Sequence, residues 1–384
     1  MRIAYISDTY LPETNGIVTA IVRHSTRLAE RGHEVLILCP RYSDGDPDGA
    51  ERITVERYAS RTPRSNPETH VALPWLPGMV RRLRRFAPDL VHVHTPLTIG
   101  VCGVIAAKRL GIPLVQTYHS WVPGFMQYAS PSRLLGIDRG PRRTRESALA
   151  WSLTRALYNR SDVVLAPSRT LCHILSDHGV RPPVDYQTNG IDRREFPPKS
   201  SWELRRRVVH SGRLGFEKNV EVVVEAFARF KETHPGWELH ILGEGPASPY
   251  ITRLISQLGL EGDVRREGFV SRTYLAESYR EADVYATAST IETQGLVVLE
   301  ALASGTPVVG VDALAVPEMA RHDVSGIIVQ PFDAEAMASA LGRLADDGTL
   351  RERMGRAGIE SVRQHDIEAA VDRLEERYQM LFGR

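Results

Sequence analysis

The sequence is short of cysteine, of long apolar runs and of net charge, and each shortage excludes something. Three cysteines, Cys39, Cys102 and Cys172, lie far apart in 384 residues. They fit neither a disulfide framework nor a zinc-ligand spacing, so reduced thiols are expected. No apolar stretch approaches the roughly 18 residues of a membrane-crossing helix. The opening residues MRIAYISDTY lack the basic segment, apolar core and cleavage site of a secretory signal, and a cytoplasmic location is expected. Aromatic residues make up only 7%, against 42% hydrophobic and 25% charged, the profile of a soluble globular chain.

The net charge of +1 conceals an asymmetry. Residues 1–199 carry 27 Lys and Arg against 18 Asp and Glu (+9), and the remainder 21 against 29 (−8). A basic front half and an acidic back half suggest two domains with different partners, and the length alone exceeds what one ordinary core accommodates.

What is present is alternation. Apolar runs rich in Val, Ile and Leu, such as RIAYIS, HEVLILC, DLVHVH, IPLVQTY and DVVLAPS, alternate with amphipathic stretches, for instance 17–30, 98–110 and 145–158. A stretch with four prolines, residues 181–201, then interrupts, and the alternation resumes with RVVHSGR, WELHILG, DVRREGF, ADVYAT and TPVVGV. Near-continuous apolar strands between helices indicate parallel sheets covered on both faces. The expected fold class is therefore α/β: two doubly wound, Rossmann-like domains facing a central cleft. The expected boundaries are 1–185, a linker over 186–205, and 206–364, with a final helix at about 365–384 packing back on the first domain. In such sheets ligands bind beyond the carboxyl ends of the strands, so the loops there hold the candidate residues.

After the first strand, Asn15-Gly16 opens a helix; a glycine there would let an anion reach free backbone N–H groups, though a plain turn and cap reads equally well. Gly243-Glu244-Gly245 lacks a third glycine and is a weak dinucleotide signal. Arg213 and Lys218, the latter expected to open the next helix, follow the strand VVHSG and would neutralise a diphosphate, a guanidinium fork beside a point charge. Glu292 follows the strand of ADVYAT, with Gln294, Gly295 and Leu296 expected as the first helical positions, whose N–H groups have no intrahelical acceptor. Glu300 lies in LVVLEALA, too apolar to be a solvated face, so it needs a partner. Carboxylates at these two places could accept hydrogen bonds from vicinal hydroxyls, one from a sugar and one from a ribose. His119 ends IPLVQTY and is the residue type that handles protons near neutral pH, although a lone histidine is more often structural.

Together these residues resemble a retaining, GT-B-fold glycosyltransferase of family four. Arg213 and Lys218 in SGRLGFEKNV, and the Glu292/Glu300 pair before SGTPVV, match the family's donor pattern; Gly16, VHVHTP and TYHS match its N-terminal pattern. The family's usual Glu-Gly-Phe-Gly is Glu292-Thr293-Gln294-Gly295 here, a variant similar to the branch that glucosylates diacylglycerol, as are SRTPRSNPE and YHSWVPGFMQY. The resemblance implies that Arg213 and Lys218 bind the diphosphate of a nucleotide sugar such as UDP-glucose. It implies that Glu292 and the amides of Gln294 to Leu296 hold the sugar, that Glu300 binds the ribose, and that Phe269 and Val270 meet the base through backbone groups. His119 would contact the sugar and Gly16 would let the first loop approach the phosphates and the acceptor. Attack on the same face as the leaving diphosphate needs no protein nucleophile and, in this family, no bound metal. Asp44 to Gly49 (DGDPDG) spaces its aspartates like a calcium loop but lacks the remaining ligands. No cofactor beyond the nucleotide-sugar co-substrate is expected.

The acceptor side is read from GMVRRLRRFAP. Arg81, Arg82, Arg84 and Arg85 stand among Val80, Leu83 and Phe86, and Trp75 lies just upstream. Such a segment suits either an anionic lipid surface or a helix with one wet face. Trp121 is a further candidate for the acceptor or membrane side, and RGPRRTR (139–145) is a second basic cluster. The expected partners are a nucleotide sugar, a lipid or small-molecule acceptor and an anionic membrane surface; no recognition motif for nucleic acid accompanies the charge. A soluble sugar, cyclitol or antibiotic-type acceptor, and a non-catalytic scaffold, remain the alternatives.

Overall fold

A computed structural model describes residues 1–42, 49–62, 70–121 and 145–383. The chain forms two compact units, Met1–Gly190 with Ile367–Arg384, and Ile191–Asp366.

The first unit is built on β1 (Arg2–Ile6), β2 (Glu34–Pro40), β3 (Ile53–Tyr58), β6 (Leu90–Val93), β7 (Leu114–Thr117), β8 (Val163–Ala166) and β9 (Val184–Tyr186). These are hydrogen-bonded in the order β3-β2-β1-β6-β7-β8-β9, all parallel. A small antiparallel ribbon, β4 (Ser60–Arg61) with β5 (Val71–Ala72), stands outside that sheet. Side chains alternate across the pleat: Ile3 and Tyr5 face one core, Ala4 and Ile6 the other. The first core is closed by the helices Gly16–Glu30 and Ile367–Phe382, the latter through Ile367, Val371, Leu374 and Tyr378, one stripe at helical spacing. Arg31, between Glu368, Asp372 and Glu375, clamps the same pair of helices.

The second unit holds β10 (Arg207–Ser211), β11 (Glu238–Leu242), β12 (Val264–Gly268), β13 (Val284–Ala286), β14 (Val308–Val311) and β15 (Gly326–Val329), in the parallel order β12-β11-β10-β13-β14-β15. The chain enters at Ile191, whose N–H donates to His365 O at 2.8 Å, beside the point where it leaves at Asp366. Residues just after entry are part of this unit: Phe196 is fully buried against Tyr279.

Several elements were not legible in the sequence. β3 (ITVERY) is an edge strand carrying Glu56 and Arg57, and β15 (GIIV) is four residues long, so neither produces the long apolar run that marked the others. The second sheet thus has one strand more than TPVVGV suggested.

In both sheets the strand order reverses, between β1 and β6 and between β10 and β13. Beside β10, on the side away from β13, Gly243 follows β11 with φ +132, and a Cβ there would stand 2.1 Å from Gly212 O. Close backbone approach accounts for both glycines of Gly243-Glu244-Gly245, since a Cβ on Gly245 would stand 2.6 Å from Leu214 O. Gly243→Ala is expected to cost about 3 kcal/mol or more through strain and overlap. A thermal midpoint unchanged from the parent would refute that contact.

Candidate functional site

The order reversal between β10 and β13 places two loops side by side at the carboxyl ends of those strands, where a doubly wound sheet binds its ligand. The first loop carries Arg213, Glu217, Lys218 and Asn219; the second carries Ser289 to Gly295. Asn219 ties them together, donating from Nδ2 to Ala288 O at 3.1 Å and to Thr290 Oγ1 at 3.3 Å.

Lys218 and Glu292 meet across these loops. Nζ lies 2.6 Å from Oε1, with 22% and 12% of the two side chains exposed. Burial pushes the Glu292 carboxyl up, but the Lys218 ammonium, with hydrogen bonds from Lys218 and Ser289 and the charge of His210, outweighs it and holds the group below the ordinary glutamate range. Arg213 Nη2 lies 2.5 Å from Glu217 Oε1, so the half-exposed guanidinium is aimed by a buried carboxylate. Two cations, each held in position by a buried acid, stand together at this corner with donors suited to a phosphate group.

Local geometry corrects the helix starts. Lys218 does not open a helix: it ends the 3-10 turn Phe216–Lys218, and Asn219 turns the chain through φ +49 into the helix Val220–Thr233. Gln294 and Gly295 are not helical either. Gly295 caps the helix Leu296–Ala303 at φ +77, a left-handed conformation that suits glycine. Gln294 precedes that cap and is 1% exposed, and only Leu296 of the three is a helical position. The stretch from Glu292 to Glu300 is therefore turn and then helix.

Glu300 is 3% exposed, and its partner is Arg272, whose Nη2 lies 3.1 Å from Oε1. Phe269 is 75% exposed beyond β12, and Val270 packs partly against the Leu299 core. Sequence reasoning missed Glu217, Asn219, His210 and Arg272. The Arg213–Glu217 spacing of four was a readable signal. Arg272 gave none, because its two carboxylates, Glu195 and Glu300, are distant in sequence.

In the first unit His119 is 7% exposed, and its Nε2 lies 3.0 Å from His94 Nδ1. His94 stacks on His92 with ring centroids 4.1 Å apart, and His92 is held by Thr117 at 2.7 Å and Tyr378 at 2.5 Å. Burial, joined by repulsion from His24, lowers His119 to about 3; burial likewise lowers His24 to about 4 and keeps His92 and His94 well below the usual histidine range. His119 is thus a neutral group at pH 7 and not an isolated one. Gly16 is the first residue of its helix, but Asn15 Oδ1 already accepts from Ile17 N and Val18 N at 3.0 and 2.9 Å. The Asn15 cap therefore takes two of the donors an anion would use.

On the helix Leu76–Phe86, Met79, Leu83 and Phe86 are buried while Arg81, Arg84 and Arg85 are exposed. Arg82 is committed elsewhere, paired with Glu56 and lying over the Phe86 ring. Trp75 is 57% exposed and Leu73 42%. Trp121 is packed edge-on against Trp151, centroids 5.7 Å apart, and is half-buried. Most of DGDPDG, SRTPRSNPE, YHSWVPGFMQY and RGPRRTR lies outside the described residues. No helix among the described residues is long and apolar enough to cross a membrane.

Comparisons with known proteins identify the family and the fold. Residues 192–361 match the family described as glycosyl transferases group 1, and residues 14–195 the one described as glycosyltransferase family 4. A GDP-mannose-dependent alpha-mannosyltransferase of Mycolicibacterium smegmatis is 30% identical, with 100% of this chain and 98% of that protein covered. An alpha-monoglucosyldiacylglycerol synthase of Streptococcus pneumoniae is 27% identical over 87% of this chain and 79% of its own length. Among solved structures, a sucrose-phosphate synthase from Thermosynechococcus elongatus superposes with a TM-score of 0.81 at 22% identity, covering 100% of this chain and 99% of that one.

Proposed function

We propose that this chain, which belongs to the family 4 glycosyltransferases and has their GT-B fold, moves a hexose from a nucleoside diphosphate sugar to a lipid hydroxyl with retention. The carrying observation is the pair of aimed cations, Arg213 and Lys218, beside Glu292 at the order reversal of the second sheet. In the reaction the bond from the sugar's anomeric carbon to the diphosphate breaks. A bond from that carbon to the acceptor oxygen forms on the same face, and the acceptor proton passes to a leaving phosphate oxygen. Negative charge grows on the diphosphate as it departs, and fixed cations that need no reorganisation lower the barrier for that step. Glu292 and the backbone of Gln294 to Leu296 hold the sugar, Glu300 the ribose, and the loop at Phe269 and Val270 the base. No step calls for a metal or a protein nucleophile.

The lipid acceptor is supported by the exposed Arg81, Arg84 and Arg85 with Trp75 and Leu73 nearby. Each basic residue near an anionic bilayer contributes about 1 kcal/mol of attraction, so peripheral attachment follows if these residues face lipid. Arg82 is left out of that set. The similar proteins named above divide over the sugar, one using GDP-mannose and one making a glucosyl lipid. Mannose from GDP-mannose is therefore the second reading beside glucose from UDP-glucose.

Nucleotide release from each of these donors is to be measured with and without vesicles of diacylglycerol and phosphatidylglycerol. Lipid-stimulated release from one donor, with a new glycolipid, is the expected result. Release indifferent to lipid would move the acceptor to a soluble hydroxyl compound, and release from neither donor would overturn the choice of sugar nucleotide.

A further inference from the structure

Glu300 is an odd residue for its place. The helix Leu296–Ala303 buries Val298, Leu299, Ala301, Leu302 and Ala303, and Glu300 is as enclosed as they are. A carboxylate so shut in needs both a countercharge and a reason for being there. The countercharge comes from Arg272. Its Nη2 lies 3.1 Å from Glu300 Oε1 and 2.6 Å from Glu195 Oε2, its Nε lies 2.8 Å from the same Glu195 oxygen, and its Cζ stands 5.0 Å from the centroid of the buried Phe196 ring. The backbone is fixed as well, since Arg272 is the first residue of the helix Arg272–Glu281, capped by Ser271 Oγ accepting from Tyr274 N at 3.2 Å. Two carboxylates, an aromatic face and a helix start thus determine where one guanidinium points.

Position in the chain adds a second observation. Arg272 follows Val270 by two residues, so it ends the loop assigned to the nucleotide base and grips the carboxylate assigned to the ribose. We propose that Arg272 is a positioning residue that orients Glu300 toward the ribose diol and so sets the preference for ribonucleotide donors over deoxyribonucleotide ones. This rests on the reading of Glu300 as the ribose ligand. An ionised carboxylate has about four acceptor sites, and a guanidinium in fixed contact with Oε1 limits how the group can rotate. A planar fork holds that orientation; an ammonium neutralises the charge without fixing it.

The test is calorimetric binding of GDP and UDP, and of their 2′,3′-dideoxy forms, to the full-length protein, using whichever base the parent binds. The parent is expected to prefer the ribonucleotide by roughly tenfold or more, the scale of one or two lost hydrogen bonds to a charged group. Arg272→Gln is expected to weaken the ribonucleotide about tenfold, leave the dideoxy form within about twofold, and so erase the preference. Arg272→Lys is expected to restore only part of it. Glu300→Gln measures the underlying reading and should erase the preference too. If Glu300→Gln erases it while Arg272→Gln leaves it intact, or weakens both ligands equally, the positioning role is overturned and the ribose reading survives. If Glu300→Gln leaves the preference intact, or the parent binds neither base, the ribose reading falls and the inference with it.

Discussion

Alanine at Lys218 is expected to lower turnover of the nucleotide sugar by a factor on the order of 10²–10³, the usual scale for removing one preorganised group facing developing negative charge. Two effects add in this case. The leaving diphosphate loses a cation, and Glu292, 12% exposed, loses the ammonium 2.6 Å away that outweighs the effect of its burial. Without Lys218 burial acts with less opposition, so the Glu292 carboxyl should titrate higher and sugar binding should acquire a pH dependence absent in the parent. Glu292→Ala is expected to lower turnover comparably. The double variant should lose much less than the product of the two single losses, because the pair acts as a unit. Steady-state kinetics of the three variants decide it. Rates within a few-fold of the parent, in a protein whose melting shows it folded, would remove both residues from the site. A scaffold without catalysis would show the same indifference while keeping any membrane binding.

The second large effect is on stability. His24, His92, His94 and His119 are buried in the first unit with protonation disfavoured, His24 reaching about 4 and His119 about 3. In the unfolded chain histidines titrate near 6.5. The folded pKa values are depressed, so above pH 6.5 both states hold the rings neutral and no penalty exists. As pH falls below 6.5 the unfolded chain takes up protons that the folded chain refuses, and stability drops until the folded values are reached near 4 and below. At pH 5.5 His24 and His119 together remove about 3 kcal/mol, by about 1.4 kcal/mol per histidine per pH unit, and His92 and His94 act in the same direction. That is a large share of the stability of an ordinary domain. The thermal midpoint of the first unit is therefore expected to fall steeply between pH 7 and 5.5, and His94→Gln should flatten the fall. A midpoint constant over that range would show that the rings gain protons while folded. Glu292 acts in a separate window: its lowered value makes its contribution full above the ordinary glutamate range and lost only at more acid pH.

Much of this was readable in the chain because parallel sheets buried on both faces leave continuous apolar runs, and a run such as LVHV or VVLA names its strand without help from context. The alternation of such runs with helices marked the doubly wound class, and the rule that ligands sit beyond strand carboxyl ends made Arg213, Lys218 and Glu292 candidates. Edge strands escaped, because a strand such as ITVERY has one partner and tolerates charge. Helix starts slipped by two residues at Lys218 and at Gln294, where a 3-10 turn and a left-handed glycine replace a first helical turn.

The amino-acid order by itself therefore determined the fold class, the two-part organisation, the strand ends and the kind of residue that waits there, since each follows from local periodicity and spacing. Partnership was decided by tertiary structure alone. That Lys218 faces Glu292 across 74 residues, that Arg272 joins Glu300 to Glu195, and that His119 lies against His94 depend on which strands and helices become neighbours. The physical reason is range: hydrogen bonding and burial within one element depend on nearby residues, whereas an ion pair needs two side chains within about 4 Å, and only the folded sheet order brings distant ones that close.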